Sequence, residues 1–163
     1  MKNHAERAVE LFLEGYNCSQ AVVGAFAEDP ELDLGMDFQT AVRAVSGLGG
    51  GVSRQRELCG AISGMAIVAG ALWGYDEATD TDGKRRLYAG IQRLCADFRT
   101  ANGSIVCRDL LGARKGQDIS PTPDARTPDY YKTRPCAKMV HDAAQILDCE
   151  LNRRENPQQE ETP

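Results

Sequence analysis

Residues 58–75 read LCGAISGMAIVAGALWGY, a run of 18 residues without a charged side chain. Glycines divide this run at positions 60, 64, 70 and 74. A membrane-spanning helix usually needs about 20 predominantly apolar residues. This run is shorter and rich in glycine, and its glycines are paired four residues apart, as in helices that pack closely against a neighbour. It therefore predicts a buried central helix, and no membrane span is expected.

The chain on either side of this helix also has a helical pattern. Apolar side chains recur at helical spacing in residues 3–13, 18–27, 38–48 and 80–102, and again from Cys136 onward. No window alternates apolar and polar residues as a half-buried strand would. The predicted fold class is therefore all-α, a compact multi-helix bundle with a buried glycine-rich central helix.

The length of 163 residues is typical of one domain with a single core. We expect residues 1–149 to form a single helical domain and the polar residues 150–163 to form a frayed C-terminal tail. Residues 112–130 contain three prolines and predict the longest loop. The run Gly47-Leu48-Gly49-Gly50-Gly51 is interpreted as a hinge, because it lacks the lysine of a phosphate-binding loop.

The net negative charge of the chain bears on which partners it can bind. The net charge of −5 and the pI of about 5.1 argue against nucleic acid or an anionic membrane. The first residues carry charges of both signs and lack the apolar core of a secretory signal, so a cytoplasmic location is expected. In that compartment, cysteines are more often catalytic, metal-binding or buried than paired in structural disulfides.

Four of the six cysteines fall where a helix is predicted to begin. Cys18 follows Asn17, a good N-cap, and Gln20 at the third helical position completes a capping box. Cys59 directly precedes the central helix. Cys107 follows an Asn-Gly-Ser turn whose serine can cap a short helix, and Cys136 follows a proline, which the first turn of a helix tolerates.

The two remaining cysteines lie elsewhere. Cys95 is in the middle of a predicted helix among core-type residues, and Cys149 is near a helix end among polar neighbours. Buried free cysteine is a common core residue, so Cys95 is interpreted as structural and Cys149 as incidental.

A helix N-terminus stabilises a thiolate, because its free backbone N–H groups and the positive end of the helix dipole face the sulfur. Nearby arginines act in the same direction, and together such settings lower a cysteine pKa from ~8.5 to roughly 3.5–7.5. Cys59 is expected to be the most activated thiolate, since two arginines precede it and glycines flank it. The neighbouring arginines are Arg54 and Arg56 before Cys59, Arg108 after Cys107, and Arg134 before Cys136.

The segment Cys59-Gly60-Ala61-Ile62-Ser63-Gly64 resembles the signature of the C_GCAxxG_C_C family of redox-active proteins. The resemblance also covers Gly15-Tyr16-Asn17-Cys18-Ser19-Gln20-Ala21-Val22, the glycine run before Cys59, and the single downstream cysteines Cys107 and Cys136. It extends over residues 5–147. It implies a small, mainly helical protein with four characteristic cysteines and a redox role.

A related domain occurs in split-Soret cytochromes, where the cysteines are associated with a centre of the iron–sulfur type. This chain has no Cys-x-x-Cys-His, so covalent attachment of a c-type haem is unsupported.

Two chemistries remain open for Cys18, Cys59, Cys107 and Cys136. As catalytic residues, two or more of them form a reversible disulfide. As metal ligands, they hold an iron–sulfur cluster or another soft metal ion. Their spacing does not distinguish disulfide chemistry from metal binding, because no two of them form a Cys-x-x-Cys pair. Gly60 and Gly64 are candidates for close backbone approach to a cofactor.

The leading functional hypothesis is a redox-active protein, a possible oxidoreductase, that performs electron transfer or thiol–disulfide exchange with an unknown electron donor or acceptor. The alternative is a non-catalytic metal-binding or transport-associated accessory protein. A third hypothesis is a helical interaction module with inert buried thiols. The glycine-rich helix is also compatible with a homodimer interface.

Overall fold

A computed structural model describes residues 3–156, apart from the side chains of Ala113 and Arg114. Within this part of the chain all regular structure is helical, which confirms the all-α bundle. A single antiparallel bridge joins Leu58 to Val106. The elements are α1 (His4–Leu13), α2 (Cys18–Ala27), α3 (Phe38–Ala44), a 3-10 turn (Ser46–Leu48), α4 (Gly49–Val52), α5 (Gly60–Trp73), α6 (Thr81–Asn102), α7 (Cys107–Lys115), α8 (Pro128–Thr133) and α9 (Cys136–Glu155).

The helices begin where the sequence supplies caps. Asn17 caps α2, its side chain accepting the N–H groups of Ser19 and Gln20, and the Gln20 side chain completes the predicted capping box. Asp37 caps α3 by accepting the N–H of Thr40 at 2.9 Å. Asp80 caps α6 by accepting the N–H of Gly83 at 2.7 Å. These caps satisfy backbone donors that a helix start leaves unpaired.

Helix α5 is the predicted glycine-rich central helix. It packs against α2, α6 and α9, and its first six residues are all buried. At Gly64 a Cβ would lie 3.0 Å from both the Ser19 carbonyl oxygen and Val22 Cβ, so glycine permits close contact between α5 and α2. Within the described residues no helix is long and apolar enough to cross a membrane.

Helix α9 continues past the predicted domain boundary at residue 149. It extends to Glu155, so residues 150–155 are helical and do not form a frayed tail. Glu150 is buried because its carboxylate accepts hydrogen bonds from Arg93, Arg153 and Arg154. Arg153 and Arg154 therefore compensate the buried charge of Glu150. The polar sequence of this segment did not predict that arrangement. Residues 157–163 of the predicted tail lie outside the described residues.

Residues 50–56, which begin inside the short element α4, form a tight left-handed loop. Residues 50–54 and Arg56 all have positive φ, including Val52 at 60° and Arg56 at 62°. Backbone bonds from Arg56 N–H to the Gly50 carbonyl and from Glu57 N–H to the Gly51 carbonyl, at 3.2 and 3.1 Å, close the loop. Positive φ is strained for a β-branched residue, and such strain clusters at functional sites. The predicted hinge is thus part of a folded, hydrogen-bonded loop.

Candidate functional site

A cavity of about 490 Å³ lies where the N-terminal ends of four helices meet. Cys18, Cys107 and Cys136 are the first residues of α2, α7 and α9, and Cys59 directly precedes α5. All four cysteines predicted as site residues line this cavity. Cys95 and Cys149 do not line it. The structure therefore brings together cysteines that are far apart in sequence.

Cys59 and Cys107 are held by paired backbone segments. The Leu58–Val106 bridge is flanked by a bond from Cys59 N–H to the Ile105 carbonyl, at 2.9 Å, and one from Cys107 N–H to the Glu57 carbonyl, at 2.6 Å. The left-handed loop folds over this pair. At Gly51 a Cβ would lie only 2.7 Å from Cys107 Cβ, so the close approach requires glycine.

Cys18 and Cys136 interact as a pair of thiols in the cavity wall. The hydrogen bond from Cys18 stabilises the Cys136 thiolate, and Arg134, Arg126 and Arg56 add favourable charge. Burial opposes these effects, yet the pKa of Cys136 falls to about 7. The same hydrogen bond, together with burial, raises the pKa of Cys18 well above its ordinary value. The pair therefore loses its first proton from Cys136 in preference to Cys18.

Cys59 and Cys107 favour the neutral thiol. Burial raises the pKa of Cys59 to about 12, although the N–H groups of Ala61 and Ile62 work in the opposite direction. Burial also raises the pKa of Cys107, against a hydrogen bond from Arg56. The expectation that Cys59 is the most activated thiolate is therefore wrong. Its position at a helix start provides less stabilisation than its burial removes.

The sequence predicted Arg54 and Arg56 as neighbours of Cys59, and both line the cavity from the left-handed loop. Arg54 pairs with Asp118 at 2.7 Å and with Asp124 at 2.9 Å. Arg134 also pairs with Asp124. Arg108, in contrast, pairs with Glu57 and does not line the cavity, so its predicted effect on Cys107 has no support in the structure.

The predicted loop supplies part of the cavity wall, including a residue that the sequence did not reveal. Arg126 donates to the carbonyl oxygens of Phe12 and Tyr16 at 3.3 and 3.1 Å. Its guanidinium also lies 4.8 Å from the centre of the Tyr130 ring. An arginine between loop residues gives no periodic or motif signal, so only the folded chain shows that Arg126 faces Cys136.

The two glycines predicted to approach a cofactor, Gly60 and Gly64, have different surroundings. Gly60 lines the cavity, and a Cβ there would lie 3.2 Å from Cys18 Cβ. Gly64 lies outside the lining and approaches α2. Across the described residues, no group of three or more His, Cys, Asp or Glu side chains converges as a metal-ligand set. The thiols as placed here do not form a preassembled four-thiolate site.

Fold and site together define a small all-α protein with four thiols gathered at helix N-termini around one cavity. The chain matches the family described as "Putative redox-active protein (C_GCAxxG_C_C)" over residues 16–149, and it belongs to that family. Searches among curated proteins and among solved structures found no match. This match confirms the family resemblance that was drawn from the cysteine pattern. The relation to split-Soret cytochromes remains a prediction.

Proposed function

We propose that this protein performs thiol–disulfide exchange through Cys136 and Cys18. The observation that carries the proposal is that Cys18 and Cys136 line one cavity as interacting thiols, where the pKa of Cys136 falls to about 7. The attacking species in exchange is the thiolate, and its rate is best when the thiol pKa lies near the ambient pH. Cys136 meets that condition, and Cys18, which interacts with it, is the thiol that resolves the product.

The exchange proceeds in two balanced steps. The Cys136 thiolate attacks one sulfur of a substrate disulfide, forming a mixed disulfide and releasing the other sulfur as a thiolate that takes up a proton. Cys18 then loses its proton and attacks the Cys136 sulfur, which releases the second substrate thiol. The substrate gains two electrons, and the two cysteines lose them as a Cys18–Cys136 disulfide forms. An external thiol or dithiol donor restores the protein by the reverse exchange.

Cys59 and Cys107 supply a second pair of thiols in the same cavity. Their raised pKa values keep them protonated at neutral pH, so they do not compete with Cys136 for the first attack. Their backbone pairing holds them at fixed places beside the reacting pair. We assign them as a reserve pair that can receive the disulfide by internal exchange.

Binding of a soft metal ion or an iron–sulfur cluster is the alternative function. Its support is that all four thiols line one cavity, and thiolate is the natural ligand for such metals. It requires the cysteine side chains to move, because no ligand set converges among the described residues. The same cysteines would then serve a metal-binding accessory role without turnover.

The first experiment is anaerobic purification followed by metal and acid-labile sulfide analysis, with redox titration of the same sample. Titration with a dithiol buffer should yield a Cys18–Cys136 disulfide, mapped by mass spectrometry, in metal-free protein. Cys136→Ser should abolish it, whereas the control Cys149→Ser, at an exposed site outside the cavity, should leave it intact. Stoichiometric iron and sulfide lost in Cys136→Ser would favour the metal function and contradict exchange.

A further inference from the structure

The cavity contains a buried guanidinium group that is only partly satisfied. Arg56 is 2% exposed, its Nε donates to the Asp118 carbonyl at 2.8 Å, and its side chain also interacts with the Cys107 sulfur. Its Nη2 has no hydrogen-bond partner among the described residues. A buried donor left unpaired is costly, and one attached to a charged group is more costly still. Because Arg56 lines the cavity, its guanidinium charge acts on a group bound there.

The cavity also carries more positive than negative charge. Arg54 and Arg134 share Asp124, and Arg54 also binds Asp118. Arg56 and Arg126 have no carboxylate within ion-pair distance in the part of the chain described. The partners of Arg126 are backbone carbonyls and aromatic rings. The Cys136 thiolate offsets at most one of these two charges, so the cavity retains an electrostatic preference for an anion.

The geometry of the loop fixes this arrangement before any ligand binds. Arg54 and Arg56 both have positive φ, a conformation that is uncommon for residues other than glycine. Arg54 is held in place by Asp118 and Asp124, and the Arg56 side chain is held by the Asp118 carbonyl. The Arg56 guanidinium is therefore positioned in advance, as expected of a binding group.

Size and lining indicate an organic anion. The volume of about 490 Å³ falls within the roughly 300–1,000 Å³ that small-molecule sites occupy. Apolar side chains, including Leu110, Pro121 and Met139, form much of the wall. Such a wall suits a carbon skeleton, while the arginine donors suit a carboxylate.

We infer that the cavity binds a small organic anion with its carboxylate beside the Arg56 guanidinium. The inference deepens the proposed function and rests on it in one respect, the identity of the ligand. For a protein that exchanges disulfides, the bound anion is a low-molecular-weight disulfide with carboxylate ends, which presents a sulfur to Cys136. Arg56 binds the substrate, and Arg126 contributes long-range attraction.

Three small aliphatic disulfides of similar size test the inference: dithiodiglycolate is a dianion, 2-hydroxyethyl disulfide is neutral and cystamine is a dication. Mass spectrometry measures the rate at which each disulfide forms a mixed disulfide at Cys136. Each rate is divided by the rate of the same disulfide with free 2-mercaptoethanol, which corrects for intrinsic reactivity. We expect the dianion to be preferred over the neutral disulfide by about tenfold or more, the range of one charge-assisted hydrogen bond. Added salt should reduce the preference.

Arg56→Gln should remove most of that preference, and the control Arg85→Gln, an exposed arginine on α6, should preserve it. Since Arg56→Gln could disturb folding, circular dichroism checks the variant. Thiodiglycolate, the thioether analogue that cannot exchange, gives a second measurement on the unmodified protein: it should protect Cys136 from the neutral disulfide and bind in calorimetry.

The outcomes separate the two proposals. Equal normalised rates for the three disulfides, or no binding of thiodiglycolate, would overturn the anion site and leave the exchange function standing. Binding of thiodiglycolate without reaction of any disulfide at Cys136 would retain the anion site, but would overturn both the exchange function and the identity of the ligand as a disulfide. Selective reaction of the dianion supports both.

Discussion

Cys59 and Cys136 show how two cysteines in one cavity acquire opposite chemistry. Both lie at helix N-termini, and burial raises the pKa of each. Cys136 additionally accepts a hydrogen bond from Cys18 and faces Arg134 and Arg126. Cys59 receives only the backbone N–H groups of Ala61 and Ile62, so the Cys18 hydrogen bond and the arginine charges together lower the pKa of Cys136 and not that of Cys59.

The first prediction concerns this hydrogen bond. Cys18→Ala removes the donor, so the pKa of Cys136 should rise from about 7 toward its ordinary value. Alkylation of Cys136 at pH 7 should slow by roughly five- to tenfold, the fall in thiolate fraction for a rise of about one pKa unit. Mass spectrometry of iodoacetamide labelling between pH 5 and 10 measures this change. Cys95→Ala is the matched control, and an unchanged Cys136 profile in Cys18→Ala would refute the assignment.

The second prediction concerns the order of reactivity among the cavity cysteines. At neutral pH Cys136 should label first, while Cys59 should label far more slowly because burial raises its pKa to about 12. The thiolate is the reactive species, so the order follows the ionised fraction and access to the cavity. Time-resolved labelling with peptide mapping reads out each cysteine separately. Fastest labelling at Cys59 would restore the expectation drawn from sequence.

At the scale of elements, the left-handed loop shapes the wall that holds Cys107. Gly51 has a φ of 67° and a Cβ there would clash with Cys107 Cβ and with the backbone of residues 56 and 57. Gly35 has a similar φ of 70°, but a Cβ there meets no atom within 4 Å. Substitution at Gly35 therefore tests backbone strain alone, whereas substitution at Gly51 tests backbone strain together with a steric clash.

The third prediction uses this matched pair. Gly35→Ala should lower the free energy of unfolding by about 1–2 kcal/mol through the left-handed conformation alone. Gly51→Ala adds overpacking and should cost a further 1–3 kcal/mol, approximately. Urea denaturation measures both. Only Gly51→Ala should also change the labelling of Cys107, and equal effects of the two substitutions would show that the loop can move away.

The sequence predicted the elements better than the contacts between them. Asn17 and Gln20 formed the expected capping box because capping depends on residues only three apart. The convergence of the four cysteines followed from their shared position at helix starts and from the family pattern. The role of Arg126 and the pairing of Arg108 with Glu57 depend on distant segments, so local pattern could not reveal them.

At the scale of the whole molecule, a buried histidine joins the two ends of the described chain. His4 in α1 lies against Asp148 in α9 at 2.6 Å and against Asp29 after α2 at 3.0 Å. Its ring stacks on Phe26, with the centroids 4.2 Å apart. Burial opposes the charged form, but the two carboxylates outweigh it and raise the pKa of His4 above 6.5. The helices that carry Cys18 and Cys136 are therefore tied together far from the cavity.

This tie predicts a stability that depends on pH. Because the folded pKa of His4 exceeds its unfolded value, its contribution is fully present below about pH 6.5 and is lost as pH rises through the folded pKa. His4→Gln should lower the free energy of unfolding by about 1–3 kcal/mol near pH 6, since it leaves buried carboxylates incompletely paired. The deficit should shrink toward pH 9.

Chemical denaturation of both proteins across this range, together with an NMR titration of the His4 ring, measures the effect. His141→Gln is the control, because His141 is partly exposed and contacts only the adjacent Asp142 in the described structure. An NMR pKa below 6.5 for His4 would mean that burial outweighs the two carboxylates. The sign of the linkage would then reverse, and the wild-type protein would gain stability as the pH rises through that value.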